Sequence, residues 1–223
     1  LANPSDDLRG AAASLTRVGA SELFVDARGV PQQALALWSG AVASAFLGRS
    51  TFLAEPATAA QLVDLLDSRA SRVAVQDIAL ENPNVIAEVT RRCGPESLVV
   101  AIFARKENET WRVYRGRYGA ATEWDAVTWA RVAEAQGVCE LIVETLQEEN
   151  SGEPYDLDLL GEVARRVAVP VVAIGEPRSI DDCLDALLVG NADAVLLTPS
   201  LISGMGSLEA IRADLEEHGV SCR

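Results

Sequence analysis

Three short apolar runs of this chain lead to a carboxylate. Asp26 closes "SELFVD" (21–26), Asp77 follows "RVAVQ" (72–76), and Glu144 closes "ELIVE" (140–144). A carboxylate at the end of a buried strand can be tuned by its surroundings to give or take a proton near neutrality, so these three are the candidate acids and bases. Gln76, Gly175, Thr198 and Ser200 stand at or just beyond the ends of "RVAVQ", "VVAI" (171–174) and "AVLLT" (194–198). An amide, two hydroxyls and a glycine that lets backbone approach closely suit a ligand oxygen, which makes these four the candidate ligand contacts. One run breaks the pattern. "LVVAIF" (98–103) ends on Phe103, which has no proton to transfer. The single histidine, His218, lies on the last helical segment and reads as a surface residue.

Other chemistries find little support. Cys93, Cys139, Cys183 and Cys222 are scattered and never form a CxxC pair, so buried reduced thiols are expected, with no metal site and no cofactor. Acidic side chains outnumber basic ones 33 to 19, for a net charge of −14. Nucleic acid and anionic membrane need basic patches, and neither is an expected partner. The same balance disfavours a phosphorylated substrate unless local groups reverse the field. No apolar stretch reaches the roughly 18–20 residues that cross a bilayer, and no signal-peptide pattern opens the chain, so the expected location is the cytoplasm.

To bring strand-end groups to one side, the strands must run parallel. Seven short, continuously apolar runs read as strands covered on both faces: 21–26, 51–54, 72–76, 98–103, 140–144, 171–174 and 194–198. Helical patterns alternate with them at 5–18, 32–46, 58–68, 82–92, 124–136, 156–167, 179–189 and 207–217, several opened by cap signals such as "TEWD" and "SIDD". This alternation predicts an α/β (β/α)8 TIM-type barrel, a single domain over 1–223, whose first strand is missing from this chain or lies upstream of Leu1. "GASELFVDA" (19–27) is similar to "GVCELIVET" (137–145), and "AEPATAAQLVDLL" (54–66) to "GEPRSIDDCLDAL" (175–187), in the same order. Two half-barrel repeats follow, at about 1–95 and 96–223. "ENETWRVYRGRYG" (107–119) alternates apolar and polar residues around a glycine turn and predicts a hairpin at the catalytic end.

Several stretches together resemble the histidine-biosynthesis barrel family, and within it the cyclase subunit of imidazole glycerol phosphate synthase. They are "ALENPNVIAEVTRRCG" (79–94), "LVVAIFARK" with "WRVYRG" (98–116), "WDAVTWARVAEAQGVCELIVET" (124–145), "GEPYDLDLLGEVARRVAVPVVAIGE" (152–176) and "CLDALLVGNADAVLLTPSLI" (183–202). The resemblance implies a phosphoribulosyl-type aminoimidazole substrate and ammonia supplied through the barrel by a glutaminase partner. It implies two aspartates, at the ends of the first and fifth barrel strands, as acid and base. It also implies glycine-rich loops after the third and seventh strands that hold two phosphates.

The chain departs from that pattern. The first strand and its aspartate are not in it, and Phe103 stands where the family has the second aspartate. Where the family pairs glycines, this chain has "AEP" (54–56) and "GEP" (175–177), so Pro56 and Pro177 each remove an N–H donor. Glu55 and Glu176 bring negative charge; like charges about 4 Å apart repel by roughly 4 kcal/mol at an effective dielectric near 20. Both glutamates can instead swing into solvent or cap the following helices. The loop "QEENSGEP" (147–154) adds further acid. At the strand beginnings Glu22 (or Ser21, one residue earlier in register), Arg72 and Glu140 correspond to charged groups that the family sets around its ammonia gate, and the resemblance makes them candidate partner-interface residues.

Three functions follow as expectations. The first is a degenerate, non-catalytic barrel kept as a binding or assembly partner, with a glutamine amidotransferase subunit, a second barrel protein or another copy of itself. The second is a related sugar-phosphate enzyme with altered chemistry that uses Asp26, Asp77 or Glu144. The third is the ammonia-dependent cyclase subunit itself. Phe103 is expected to close its site with apolar surface.

Overall fold

Apolar runs too short to be helices, each followed by an amphipathic segment, fold as β/α units because only that order covers both faces of a parallel sheet. The computed structural model describes residues 4–116, 119–146 and 153–222. It divides into two compact units, Leu1–Val99 and Val100–Arg223.

The first unit contains α1 (Pro4–Arg17), β1 (Glu22–Asp26), α2 (Gln32–Ala43), β2 (Arg49–Leu53), α3 (Ala59–Asp67), β3 (Arg72–Val75), α4 (Asp77–Glu81) and α5 (Asn84–Cys93). β1 pairs in parallel with β2, Glu22 opposite Arg49 and Asp26 opposite Leu53, and β2 in parallel with β3, Thr51 opposite Arg72. Val73 N–H donates to Ser97 O (3.0 Å) where β4 begins. Phe52, Val73, Ala74, Leu62, Leu65, Ile86 and Val89 form the buried interior.

The second unit holds most of β4 (Leu98–Glu107), then β5 (Thr110–Tyr114), β6 (Ala121–Asp125), α6 (Ala126–Ala135), β7 (Glu140–Thr145), α7 (Leu157–Ala164), β8 (Val171–Ile174), α8 (Ile180–Leu184), β9 (Ala194–Leu196), α9 (Pro199–Met205) and α10 (Leu208–Glu217). The order here is β4-β7-β8-β9, with β5 and β6 added as an antiparallel ribbon on β4. β7 and β8, and β8 and β9, pair in parallel. Ile102, Trp129, Leu141, Ile142 and Leu159 are fully buried, and Cys183, Leu184, Ile211 and Leu215 form a further cluster. The repeated parallel β/α unit places the chain in the α/β, TIM-like barrel class.

Several elements differ from expectation. The helix predicted over 82–92 is α5, and the short helix α4 before it was not anticipated; Pro83 supplies no N–H to continue α4 and instead opens α5. "TEWD" is the end of strand β6, and only its last residue acts as a helix start: Asp125 Oδ1 accepts from Thr128 N–H (2.9 Å). The segment 179–189 begins as α8 and finishes in a π-helical turn, Asp185–Val189. α9, not anticipated, starts at the Thr-Pro step, where proline fits a first helical turn. Gln76 and Thr198 lie just past their strands as N-cap residues.

Candidate functional site

In the first unit Asp26 is engaged by its own loop. Arg28 Nη2 approaches Asp26 Oδ2 at 2.6 Å and Arg28 Nε approaches Oδ1 at 2.9 Å, while Arg28 N–H donates to the same Oδ1 (3.2 Å). A bidentate guanidinium orients a carboxylate firmly and leaves few of its lone pairs for a substrate. Glu55 is exposed and does not cap its helix: it accepts from Gly29 N–H (3.2 Å) and ties the loop after β2 to the loop after β1. A cleft of ≈ 330 Å³ opens between Ala54, Glu55, Pro56, Ala57, Asp77, Ile78 and Glu81. Asp77 thus stands on a cavity wall, whereas Gln76 beside it is buried.

The loops that follow β2 and β8 are closed in the same way. Thr58 caps α3 by accepting from Gln61 N–H (3.2 Å), and Gln61 Oε1 reaches back to accept from Ala57 N–H (2.7 Å). At the equivalent place in the second repeat, Ser179 caps α8 by accepting from Asp182 N–H (3.2 Å). Asp182 Oδ2 reaches back to accept from Arg178 N–H (2.7 Å) and Ser179 N–H (3.1 Å). In each loop a side chain from the first turn of the following helix satisfies amides that precede that helix. The "SIDD" cap signal was visible in the sequence; the use of Gln61 for the same purpose was not.

In the second unit Phe103 is 1% exposed. Its cross-strand neighbour is Tyr114. The Tyr114 hydroxyl donates a short hydrogen bond to Glu107, which raises the phenol's pKa, and the Arg105 guanidinium lies 4.9 Å from the ring centre. Glu144, at the end of β7, is buried. Gly175 is a glycine for packing: a Cβ there would come 2.1 Å from Pro154 O and 2.6 Å from Tyr155 Cε1. Pro154 O and the Tyr155 ring therefore fill the space that a side chain at position 175 would need. Its hydroxyl is buried without a hydrogen bond among the described residues, and burial, reinforced by Cys183 and Asp182, drives its pKa upward. The Cys183 thiol is pushed up to about 11 by burial and then by Asp182. Thr198 and Ser200 do come together, hydroxyl to hydroxyl at 2.9 Å, but Thr198 also accepts from Leu201 N–H (3.3 Å) as the cap of α9. Residues 147–152 of the acidic loop lie outside the described residues, and Glu176 is exposed.

At the strand beginnings Glu22 and Arg72 form an ion pair of 2.8 Å, with Arg49 3.8 Å from the other Glu22 oxygen. Arg72 is 4% exposed and donates from Nε to Thr51 Oγ1 (3.0 Å), whereas the Glu22 side chain is 52% exposed. Glu140 is buried at the start of β7. Among the described residues no helix is long and apolar enough to cross a membrane.

Parallel β/α units with candidate polar groups at the strand ends define a protein of the TIM-like barrel class. The family model described as "Histidine biosynthesis protein" matches residues 57–206, and the chain belongs to that family. It is 32% identical over 168 residues to imidazole glycerol phosphate synthase subunit HisF of Petrotoga mobilis, covering 74% of this chain and 66% of that protein. It is 33% identical over 164 residues to the subunit of the same name from Dehalococcoides mccartyi (74% and 65%), and 36% identical over 159 residues to that from Symbiobacterium thermophilum (71% and 63%). The chain thus spans just under two thirds of the length of these relatives.

Proposed function

We propose that this chain is a HisF-like barrel that has given up the cyclase reaction and serves as a binding or assembly partner. The observation that carries this reading is the paired closure of the loops after β2 and β8, where Gln61 and Asp182 occupy the backbone N–H groups of Ala57, Arg178 and Ser179. An anion arriving after β8 would have to displace the Asp182 carboxylate from two amides, and one arriving after β2 the Gln61 amide oxygen from one. Carboxylate hydrogen bonds of this kind are worth roughly 1.5–3 kcal/mol each. Phe103 supports the same reading: β4 runs on past it to Glu107, and its buried phenyl ring offers no proton carrier at that position. The relatives are named as subunits of a synthase, which favours a partner in a nitrogen-transfer assembly such as a glutamine amidotransferase. Of the strand-beginning residues, Glu22 is exposed and is the one proposed to meet it, with the buried Arg72 holding it in place and Glu140 buried at its own strand start.

The altered-chemistry reading rests on one specific observation, the cleft bordered by Glu55, Asp77 and Glu81. One assay separates the readings. Ammonia-dependent cyclisation of the relatives' substrate, measured with the purified chain, is expected to give no turnover. Turnover that disappears in Asp26→Asn would refute the non-catalytic proposal, and turnover that disappears in Asp77→Asn alone would favour altered chemistry.

A further inference from the structure

The ribbon β4–β5–β6 has a fastening that neither the resemblance nor the strand-end site requires. Alternation along the antiparallel pair puts Lys106 directly opposite Trp111, on the face away from Phe103 and Tyr114. The Lys106 ammonium lies 5.1 Å from the Trp111 ring centre and 3.8 Å from Asp158 of α7. Trp111 Nε1 donates to Asp156 Oδ2 at 2.7 Å. Asp156 is at the same time the N-cap of α7, its Oδ1 accepting from Leu159 N–H at 2.9 Å. On the other side of the ribbon, Leu146 N–H donates to Ala104 O (2.7 Å) and Arg105 Nε donates to Leu146 O (3.4 Å). The ribbon therefore grips the chain both where it leaves β7 and where it enters α7.

We propose that the hairpin is a strap buckled to α7 by Asp156, one carboxylate oxygen holding the helix and the other holding the indole. The position uses both oxygens of the carboxyl group, one for each donor. Asparagine has one acceptor oxygen for two donors, and serine can cap the helix but cannot also reach the indole. The buckle ties the ribbon to the start of α7, as the Leu146 hydrogen bonds tie it to the end of β7. This inference does not depend on whether the chain is catalytic.

Hydrogen exchange of the full chain tests it. In Trp111→Phe the ring remains for Lys106 and only the donor is lost. In Asp156→Ser the cap remains and only the indole acceptor is lost. Each is expected to speed exchange of the β4–β5 ladder amides roughly tenfold to a hundredfold, the factor that one charge-assisted hydrogen bond represents. Leu159 N–H stays protected in both variants, and the double variant exchanges no faster than either single one. The strap is refuted if either single variant leaves the ladder amides at the wild-type rate, if the two effects multiply, or if those amides are already unprotected in the wild type.

Discussion

Replacing Phe103 with aspartate puts back the residue type that the family resemblance implies at this strand end, and the structure says what that should cost. Phe103 is 1% exposed; Ala101, on the same face of β4, is fully buried, and Tyr114 opposite it is half-buried. Removing a buried phenyl ring costs about 3–5 kcal/mol. A carboxylate in the space left behind is poorly hydrated, so its folded-state pKa rises above the unfolded value near 3.9. Each unit of that rise costs about 1.4 kcal/mol at pH values above the folded pKa. The sign follows from proton counting: the folded variant binds more protons than the unfolded one, so the extra penalty is full at neutral pH. It shrinks as pH falls through the raised pKa towards the unfolded value. Phe103→Asn removes the ring without adding a titrating group and is the control. Urea unfolding of wild type, Phe103→Asp and Phe103→Asn at about pH 8 and about pH 5 should show both variants destabilised by roughly 3 kcal/mol or more, with the gap between them narrowing at the lower pH. A cost below about 1 kcal/mol for Phe103→Asp, with no change relative to Phe103→Asn across that range, would mean that the position is polar and solvated and that the apolar plug is wrong.

Three further outcomes follow from the packing. Gly175→Ala sets a methyl group against Pro154 O and the Tyr155 ring, so the melting temperature should drop by the equivalent of about 1–3 kcal/mol; an unchanged value would show that the Tyr155 cover is loose. Arg72→Ala leaves Thr51 and Glu22 without the guanidinium they share, with an expected loss of about 1–3 kcal/mol by denaturant titration, tempered by the exposure of Glu22. Cys183, buried and with its pKa pushed up to about 11, should resist alkylation of the native protein near pH 8, while the half-buried Cys93, Cys139 and Cys222 react. Equal labelling rates by mass spectrometry would contradict its burial.

Much of the fold could be read from pattern alone. β1, β7 and β8 are apolar runs of strand length, and the alternation in "ETWRVY" announces the ribbon, because these signals are local. Boundaries were lost where one residue serves two elements. Asp125 ends β6 and caps α6, so its cap signal hid the strand in front of it. α4, five residues between β3 and Pro83, is too short to show a helical period and was not read. The candidate site was legible as residue types but not as contacts. Asp26 carries no sign in the sequence that Arg28 will claim it, and Glu55 none that Gly29 will. Gly175 has the composition of a ligand loop and the surroundings of a packing contact. The Trp111–Asp156 bond joins residues far apart in sequence, which no periodicity reports.

The most direct test of the central claim is a titration of the isotope-labelled chain with inorganic phosphate, following the amide resonances of Ala57, Gly175, Arg178, Ser179 and Ser200. If side chains already hold the loops closed, these resonances stay in place beyond the uniform effect of ionic strength. Saturable shifts confined to those amides would contradict the account and return the chain to the phosphate-binding members of its family.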